Sequence, residues 1–149
     1  MARGRLQTEF LERVEVFSDR CVAVAEQSAV DGRFVRITEQ LAASGSSVGA
    51  NLAEADEAMS TKVFRKHLAI ATKDLAETRV GLRLCIRHNW LSESRLTAII
   101  GELTELKAIV GAILKNTRTP ESSQSLPPRK PNRTTPQHSE SQPTSDLAI

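Results

Sequence analysis

Apolar residues recur every three or four positions along four stretches of the chain, a pattern typical of helices that bury one face. The pattern predicts helices over residues 5–28, 33–58 and 62–88, and a fourth helix that begins at residue 93. The predicted buried stripes are Leu6, Phe10, Val14, Phe17, Cys21 and Val24; Phe34, Ile37, Leu41, Val48, Leu52, Ala55 and Met59; Phe64, Leu68, Ala71, Leu75, Leu82 and Ile86; and Leu96, Ile99, Leu103, Leu106, Val110 and Ile113.

The connections between these stretches are short and carry helix-ending signals. Asp31-Gly32 offers a glycine for a left-handed cap after the first helix. Ser60 and Ser92 offer N-cap hydroxyls to the third and fourth helices. Because short connections force neighbouring helices to run antiparallel, the sequence predicts an all-α, up-down-up-down four-helix bundle.

Small and polar residues interrupt the second helix between Ser44 and Ala55, although the apolar phase continues on both sides. Interior glycines such as Gly45 and Gly49 cost a helix about 1 kcal/mol each relative to alanine. We therefore expect a neighbouring helix to pack closely here, with Ser47 and Asn51 hydrogen-bonding across the contact.

The composition changes sharply near residue 118. All six prolines lie at or after Pro120, whereas all seven glycines lie before it. Residues 1–117 are therefore predicted to form the bundle, and residues 118–149, rich in Ser, Thr, Pro and Gln, a disordered tail. The tail has a PxxP spacing at residues 128–131 that fits a polyproline ligand, but a solvated linker is the simpler interpretation.

Other sequence signals exclude several functional classes. Cys21 and Cys85 lie at apolar helical positions and are expected to be buried, reduced thiols. The chain has neither a secretory signal pattern nor an apolar run long enough for a membrane span, so we expect a cytoplasmic protein. Without a nucleotide-binding loop, a nucleophile motif or metal-ligand spacing, we expect no enzymatic activity, no cofactor and no metal site.

The third helix is strongly basic, with seven Lys and Arg against Asp74 and Glu77, although the whole chain has a formal net charge of only +2. At 100° per residue the seven cations fall on an arc of roughly 140°, away from the apolar face. They are the candidate nucleic-acid-binding residues Lys62, Arg65, Lys66, Lys73, Arg79, Arg83 and Arg87. No aromatic residue interleaves them, so the sequence predicts contact with the phosphate backbone and not base stacking. An ordinary solvated face, with an internal pair between Lys73 and Glu77, is the alternative.

One segment of the second helix, Ser47-Val48-Gly49-Ala50-Asn51-Leu52-Ala53-Glu54-Ala55, is followed by Lys73-Asp74-Leu75-Ala76-Glu77-Thr78 in the third. Together they resemble the signature of the bacterial four helix bundle protein family, which includes proteins encoded in intervening sequences of large-subunit ribosomal RNA genes. The chain is also similar to the accessory variability protein of diversity-generating retroelements, whose bundle binds a reverse transcriptase. The resemblance covers about Leu11 to Thr117.

The resemblance implies a ring-like homopentamer with a basic surface for RNA or DNA and for a polymerase. It marks Ser47, Gly49, Asn51 and Glu54 as motif positions, whose role we interpret as structural. Ala55 departs from the glycine of many members, and Gly81 from an aromatic residue often found there.

Two functional hypotheses follow. In the first, the chain is a homo-oligomeric module that contacts nucleic-acid backbone through its third helix and, by resemblance, serves a reverse transcriptase. The total charge of +2 counts against that accessory role. In the second, the chain is a protein-interaction scaffold with no nucleic-acid role.

Overall fold

The computed structural model describes residues 4–29 and 34–117, and it places four helices in them. These are α1 (Thr8–Ser28), α2 (Val35–Asp56), α3 (Thr61–Arg87) and α4 (Glu93–Asn116). The all-α prediction is therefore confirmed, and each helix begins and ends close to its predicted position. The predicted cap at Asp31-Gly32 and the predicted tail over residues 118–149 lie outside the described residues.

Hydrogen bonds to the end of α2 determine where α1 begins. The backbone N–H of Leu6 donates to Asp56 Oδ1 at 2.6 Å, and the guanidinium of Arg5 donates to the carbonyl oxygen of Ala58 at 2.9 Å. These bonds hold residues 5–6 against the end of α2 in a non-helical conformation. The helix consequently begins at Thr8, whereas the sequence predicted a start at Arg5.

Neighbouring helices contact each other in sequence order. Residues near the start of one helix meet residues near the end of the next: Leu6 bonds Asp56 across α1 and α2, and Ser18 donates to the Gly45 carbonyl further along. Between α3 and α4, Arg65 meets Leu114 and Arg79 meets Thr104. These pairs are consistent with the predicted up-down-up-down arrangement.

The predicted apolar stripes form one core, except at the first and last residues of the stripe predicted for the second helix. The buried members include Phe17, Leu52, Leu68, Leu75 and Leu103. By contrast, the side chains of Phe34 and Met59 are 52% and 96% exposed. The assignment of both to the buried stripe of the second helix was wrong, because Phe34 precedes the first residue of α2 and Met59 follows its last.

An ion-pair cluster connects α1 and α4 at their surface. Arg13 donates to both carboxylate oxygens of Glu102, at 2.5 and 2.9 Å, and also to Glu105. The hydrogen bond from Arg13 holds the pKa of Glu102 below its usual range. The cluster thus links the first and last helices of the bundle.

Two predicted helix caps have different outcomes. Ser60 Oγ accepts a hydrogen bond from the Val63 N–H at 3.2 Å, which confirms it as the N-cap of α3. Ser92 stands at the N-cap position of α4, but its hydroxyl lies 3.2 Å from Ser94 Oγ and makes no cap bond. The prediction of a Ser92 hydroxyl cap was therefore wrong.

Both cysteines are free and buried, as predicted. Burial raises the pKa of Cys21 to about 12, because the thiolate would lose its hydration in the core, and this outweighs the opposing charge of Arg20. Within the described part of the chain, no helix is both long and apolar enough to cross a membrane.

The closest approach of α1 and α2 lies at Gly45. A Cβ atom on Gly45 would overlap Cys21 Cβ and lie 2.9 Å from Cys21 Sγ. A Cβ on Gly49 would instead meet the end of the Ser18 side chain, with Oγ at 2.8 Å. The close packing expected from the small residues is therefore present, and it is tighter at Gly45 than at Gly49.

We predict that Gly45→Ala lowers the free energy of unfolding by about 1 to 3 kcal/mol, since the added methyl group must displace a buried neighbour. Urea denaturation followed by circular dichroism measures this change. The control is Gly111→Ala in α4, where a Cβ meets nothing within 4 Å. That variant should be as stable as the parent or more stable, by up to about 1 kcal/mol. Equal stability of both variants would contradict the close contact.

Candidate nucleic-acid interface

A polar cluster lies inside the contact between α2 and α3. Ser47 Oγ donates to Asp74 Oδ2 at 2.6 Å, and Asn51 Nδ2 lies 3.1 Å from the same oxygen. Asp74 is only 8% exposed. A buried carboxylate is costly unless hydrogen bonds replace its water, and the two motif residues supply them. Ser47 and Asn51 thus hydrogen-bond across a helix contact, but this contact is with α3, whereas the glycines of the same segment pack against α1.

The cluster continues toward solvent through His67. Because the Asn51 amide nitrogen faces Asp74 and Ser47, its oxygen is left to accept from His67 Nδ1 at 3.0 Å. The other ring nitrogen, Nε2, lies 3.2 Å from Glu54 Oε2. Ser47, Asn51 and Glu54 therefore all contact α3 residues, whereas Gly49 faces α1. We define these five polar residues as the interhelical cluster: Ser47, Asn51, Glu54, His67 and Asp74.

Asp74 is the central residue of this cluster. The sequence analysis counted it as a charge on the basic helix and as part of the family resemblance, but predicted no contact for it. The spacing between Asp74 and Thr78 could have indicated this contact. Asp74 lies four residues before Thr78, whose buried hydroxyl oxygen lies 2.8 Å from the Asp74 carbonyl oxygen and 2.9 Å from Ser44 Oγ. Two polar residues one turn apart beside Ala71 and Leu75 indicate a face turned toward another helix.

The basic residues of α3 divide into two groups. Five of them are exposed and make up what we call the basic face: Lys62, Lys66, Lys73, Arg83 and Arg87. Lys73 Nζ lies 3.6 Å from Glu77 Oε1, which is the predicted internal pair. Because Asp74 is buried on another side of the helix, Glu77 is the acidic residue of α3 that remains exposed.

The other two predicted cations point toward α4. Arg65 donates to the carbonyl oxygens of Leu114, at 2.6 Å, and Thr117, and so satisfies the last turn of α4. Arg79 donates to Thr104 Oγ1 at 2.9 Å. Arg79 lies at one edge of the predicted arc and Arg65 lies beside the last turn of α4, and from each position the long side chain reaches the neighbouring helix. Their assignment to a free basic surface is corrected accordingly.

Three aromatic rings lie at the end of the bundle where α3 finishes. Phe34, His88 and Trp90 have ring planes within 30° of parallel, and the Phe34–Trp90 and His88–Trp90 centroids are 4.9 and 5.4 Å apart. We call these rings the aromatic platform. Along α3 no aromatic residue interleaves the basic face, but the two connections bring these rings together directly after Arg87, the last residue of α3. The sequence analysis missed this, since residues 34 and 88–90 are far apart in the chain.

The interior of the described residues offers little for a metal ion. They contain no group of three or more His, Cys, Asp or Glu side chains that could hold one. A groove of about 540 Å³ lies between the start of α1 and the end of α4. It is lined by Arg5, Leu6, Gln7, Glu9, Phe10, Arg13, Ile109 and Ile113.

Comparisons with known proteins agree with this architecture. The family model described as "23S rRNA-intervening sequence protein" matches residues 7–112. A crystal structure of a protein of unknown function from the S23 ribosomal protein family of Bacteroides thetaiotaomicron VPI-5482 is also similar, with 28% sequence identity and a TM-score of 0.67. The match covers 71% of this chain and 98% of that one. No curated protein matches the chain.

We predict that Asp74→Ala lowers the free energy of unfolding by about 2 to 3 kcal/mol, because the Ser47 and Asn51 donors lose a charged acceptor in a buried site. Thermal and urea denaturation measure the loss. Glu77→Ala is the matched control: it removes an exposed carboxylate from the same helix and should change stability by no more than about 0.5 kcal/mol. If Asp74→Ala were as mild as Glu77→Ala, the interhelical cluster would not stabilise the contact.

Proposed function

The chain belongs to the 23S rRNA-intervening sequence protein family, and from this premise we propose that it is a non-enzymatic, homo-oligomeric module that binds RNA through the basic face of α3. The observation that carries the proposal is the distribution of charge. Five cations are exposed along one helix, with Glu77 as the acidic residue among them. Such a row can follow a phosphate backbone.

The mode of binding follows from the residue types. Lys and Arg on a helix surface contact phosphates and fix position without reading base edges. The basic face would therefore select nucleic acid by charge, with weak preference for sequence and strong dependence on salt. DNA shares this chemistry, so it is included in the test.

The bundle scaffold suits this role, because the polar groups that could compete for a ligand are engaged within the fold. Arg65 and Arg79 are directed to α4, and Asp74 is directed to α2. The outer surface of α3 is left to the basic face. The interhelical cluster is thus proposed as a structural element that presents this surface.

The competing function is a protein-interaction scaffold in which the basic face meets an acidic partner. The formal net charge of +2 favours it, since nucleic-acid-binding proteins are commonly more basic. An accessory role to a reverse transcriptase stays a prediction of the family resemblance. A neighbouring reverse-transcriptase gene with template and variable repeats would support that role, whereas a position inside a ribosomal RNA gene would favour the intervening-sequence subgroup.

We predict that binding to RNA weakens steeply with salt and depends on the basic face. Replacing Lys66, Arg83 and Arg87 together with glutamine should make the negative slope of log K against log salt shallower by about two to three, because three phosphate contacts are lost. Fluorescence anisotropy with labelled RNA and DNA at several salt concentrations measures the slope.

The control for this experiment is the triple glutamine variant of Arg20, Arg95 and Lys115, three exposed cations on α1 and α4. It removes the same net charge from other surfaces. If both triple variants lose affinity equally, nucleic-acid binding depends on the total charge of the protein, and the basic face has no special role. If the parent protein binds no nucleic acid, the scaffold function takes precedence.

We predict that the protein self-associates, with the pentamer implied by its resemblance as the expected state. Light scattering coupled to size exclusion should then give a mass five times the 16.3 kDa of the chain. The exposed Val16 on α1, beside a groove lined by Glu12, Phe17 and Glu102, is an apolar position available for such contacts. A mass of one chain at micromolar concentration would contradict this prediction.

A further inference from the structure

One ring of the aromatic platform, that of Phe34, lies outside the hydrophobic core. Phe34 is 52% exposed, and it precedes α2 at the N-cap position without a side-chain cap bond. Its φ is 60°, in the left-handed region that non-glycine residues rarely adopt. A large side chain in this conformation costs about 1 to 2 kcal/mol. Strain of this kind, at a residue whose side chain neither caps α2 nor fills the core, indicates a functional position.

The other two rings lie in a hydrogen-bonded turn at the end of α3. After α3, Asn89 adopts a left-handed conformation with φ of 57°, its N–H donates to the Ile86 carbonyl, and the Trp90 N–H donates to the Cys85 carbonyl at 2.9 Å. These two bonds form the helix-ending turn in which a left-handed residue satisfies the last carbonyl groups. Trp90 is half-buried against the core, whereas His88 is exposed. The platform therefore contacts the core through Trp90 and exposes His88 and Phe34 to solvent.

Cations of the basic face lead to this platform. Arg83 and Arg87 lie one turn apart and are both exposed, and Arg87 directly precedes His88. A guanidinium group holds phosphate, and the face of an aromatic ring stacks on a nucleobase. The two groups together match the two parts of a nucleotide chain.

We propose that the aromatic platform stacks an unpaired nucleobase of a single-stranded nucleic acid whose adjacent phosphates contact Arg83 and Arg87. The proposal rests on the proposed function and refines it, because it adds a requirement for an exposed base to the phosphate contacts. In a duplex, internal bases are already stacked on their neighbours, so single strands, loops and bulges are the segments that can supply such a base. Stacking on aromatic side chains tolerates every base, so little sequence preference is expected.

The chain contains a single tryptophan, and it lies in the platform. Intrinsic fluorescence therefore reports on this site alone. The experiment titrates the full chain with short single-stranded RNA and DNA, and with an abasic strand that has the same number of phosphates and no bases. Trp90 emission and anisotropy are recorded in the same titration.

The test variant is Phe34→Asn. Asparagine tolerates the left-handed conformation and is a good N-cap residue, so this variant keeps the fold while removing the ring. Met59→Asn is the matched control, since Met59 is exposed in the connection between α2 and α3, at the other end of the bundle. Circular dichroism and thermal denaturation confirm that both variants fold.

The proposal expects base-containing strands to quench Trp90 and the abasic strand to bind without quenching. Phe34→Asn should then weaken single-strand binding at least about fivefold, as expected for loss of one stacked base. Affinity for the abasic strand should stay the same, and Met59→Asn should behave as the parent.

Two results would overturn it, and they have different meanings. Equal binding of normal and abasic strands, without quenching and without an effect of Phe34→Asn, would refute stacking and leave backbone binding by the basic face intact. Failure of all strands to bind would refute both the stacking site and the proposed function.

Discussion

The arrangement of α2 against α3 depends on one buried carboxylate. Asp74 can lie in the interior only where donors replace its hydration, and Ser47 and Asn51 provide them from the facing helix. A shift of either helix by one turn would separate these groups and leave a charge without partners. Apolar side chains at regular spacing tolerate several registers, so the polar contact selects one among them. The Thr78–Ser44 hydrogen bond repeats the same alignment one turn further along.

The burial of Asp74 also shapes the outer surface. The same helix presents an acid-poor, basic row to solvent because one of its two carboxylates is turned inward and used for packing. Structural and functional demands on α3 are therefore met by different faces of a single helix. The aromatic platform stands at the end of that row, where the backbone leaves α3.

The sequence determined most of the architecture, because helical periodicity is local and the apolar residues repeat it clearly. It also indicated the polar contact of Ser47 and Asn51, since buried polar residues require partners. The roles of Arg65 and Arg79 could not be predicted in the same way. Helical projection places them beside exposed lysines, and only the position of α4 shows that their guanidinium groups reach its carbonyl and hydroxyl oxygens. The aromatic platform likewise depends on two connections that meet only in the folded chain, and hydrophobic periodicity contains no information about such meetings.

The contact between Gly45 and Cys21 has an evolutionary consequence. With the backbones at this separation, a Cβ atom at position 45 occupies the space of the Cβ atom at position 21. At this separation the two helices accommodate a side chain at one of these positions without displacement, but not at both. Substitution at position 45 is free of that cost in a descendant only after position 21 has become glycine, or after α1 and α2 have moved apart. The order in which mutations arise, and not only their identity, would thus decide which sequences this fold can reach.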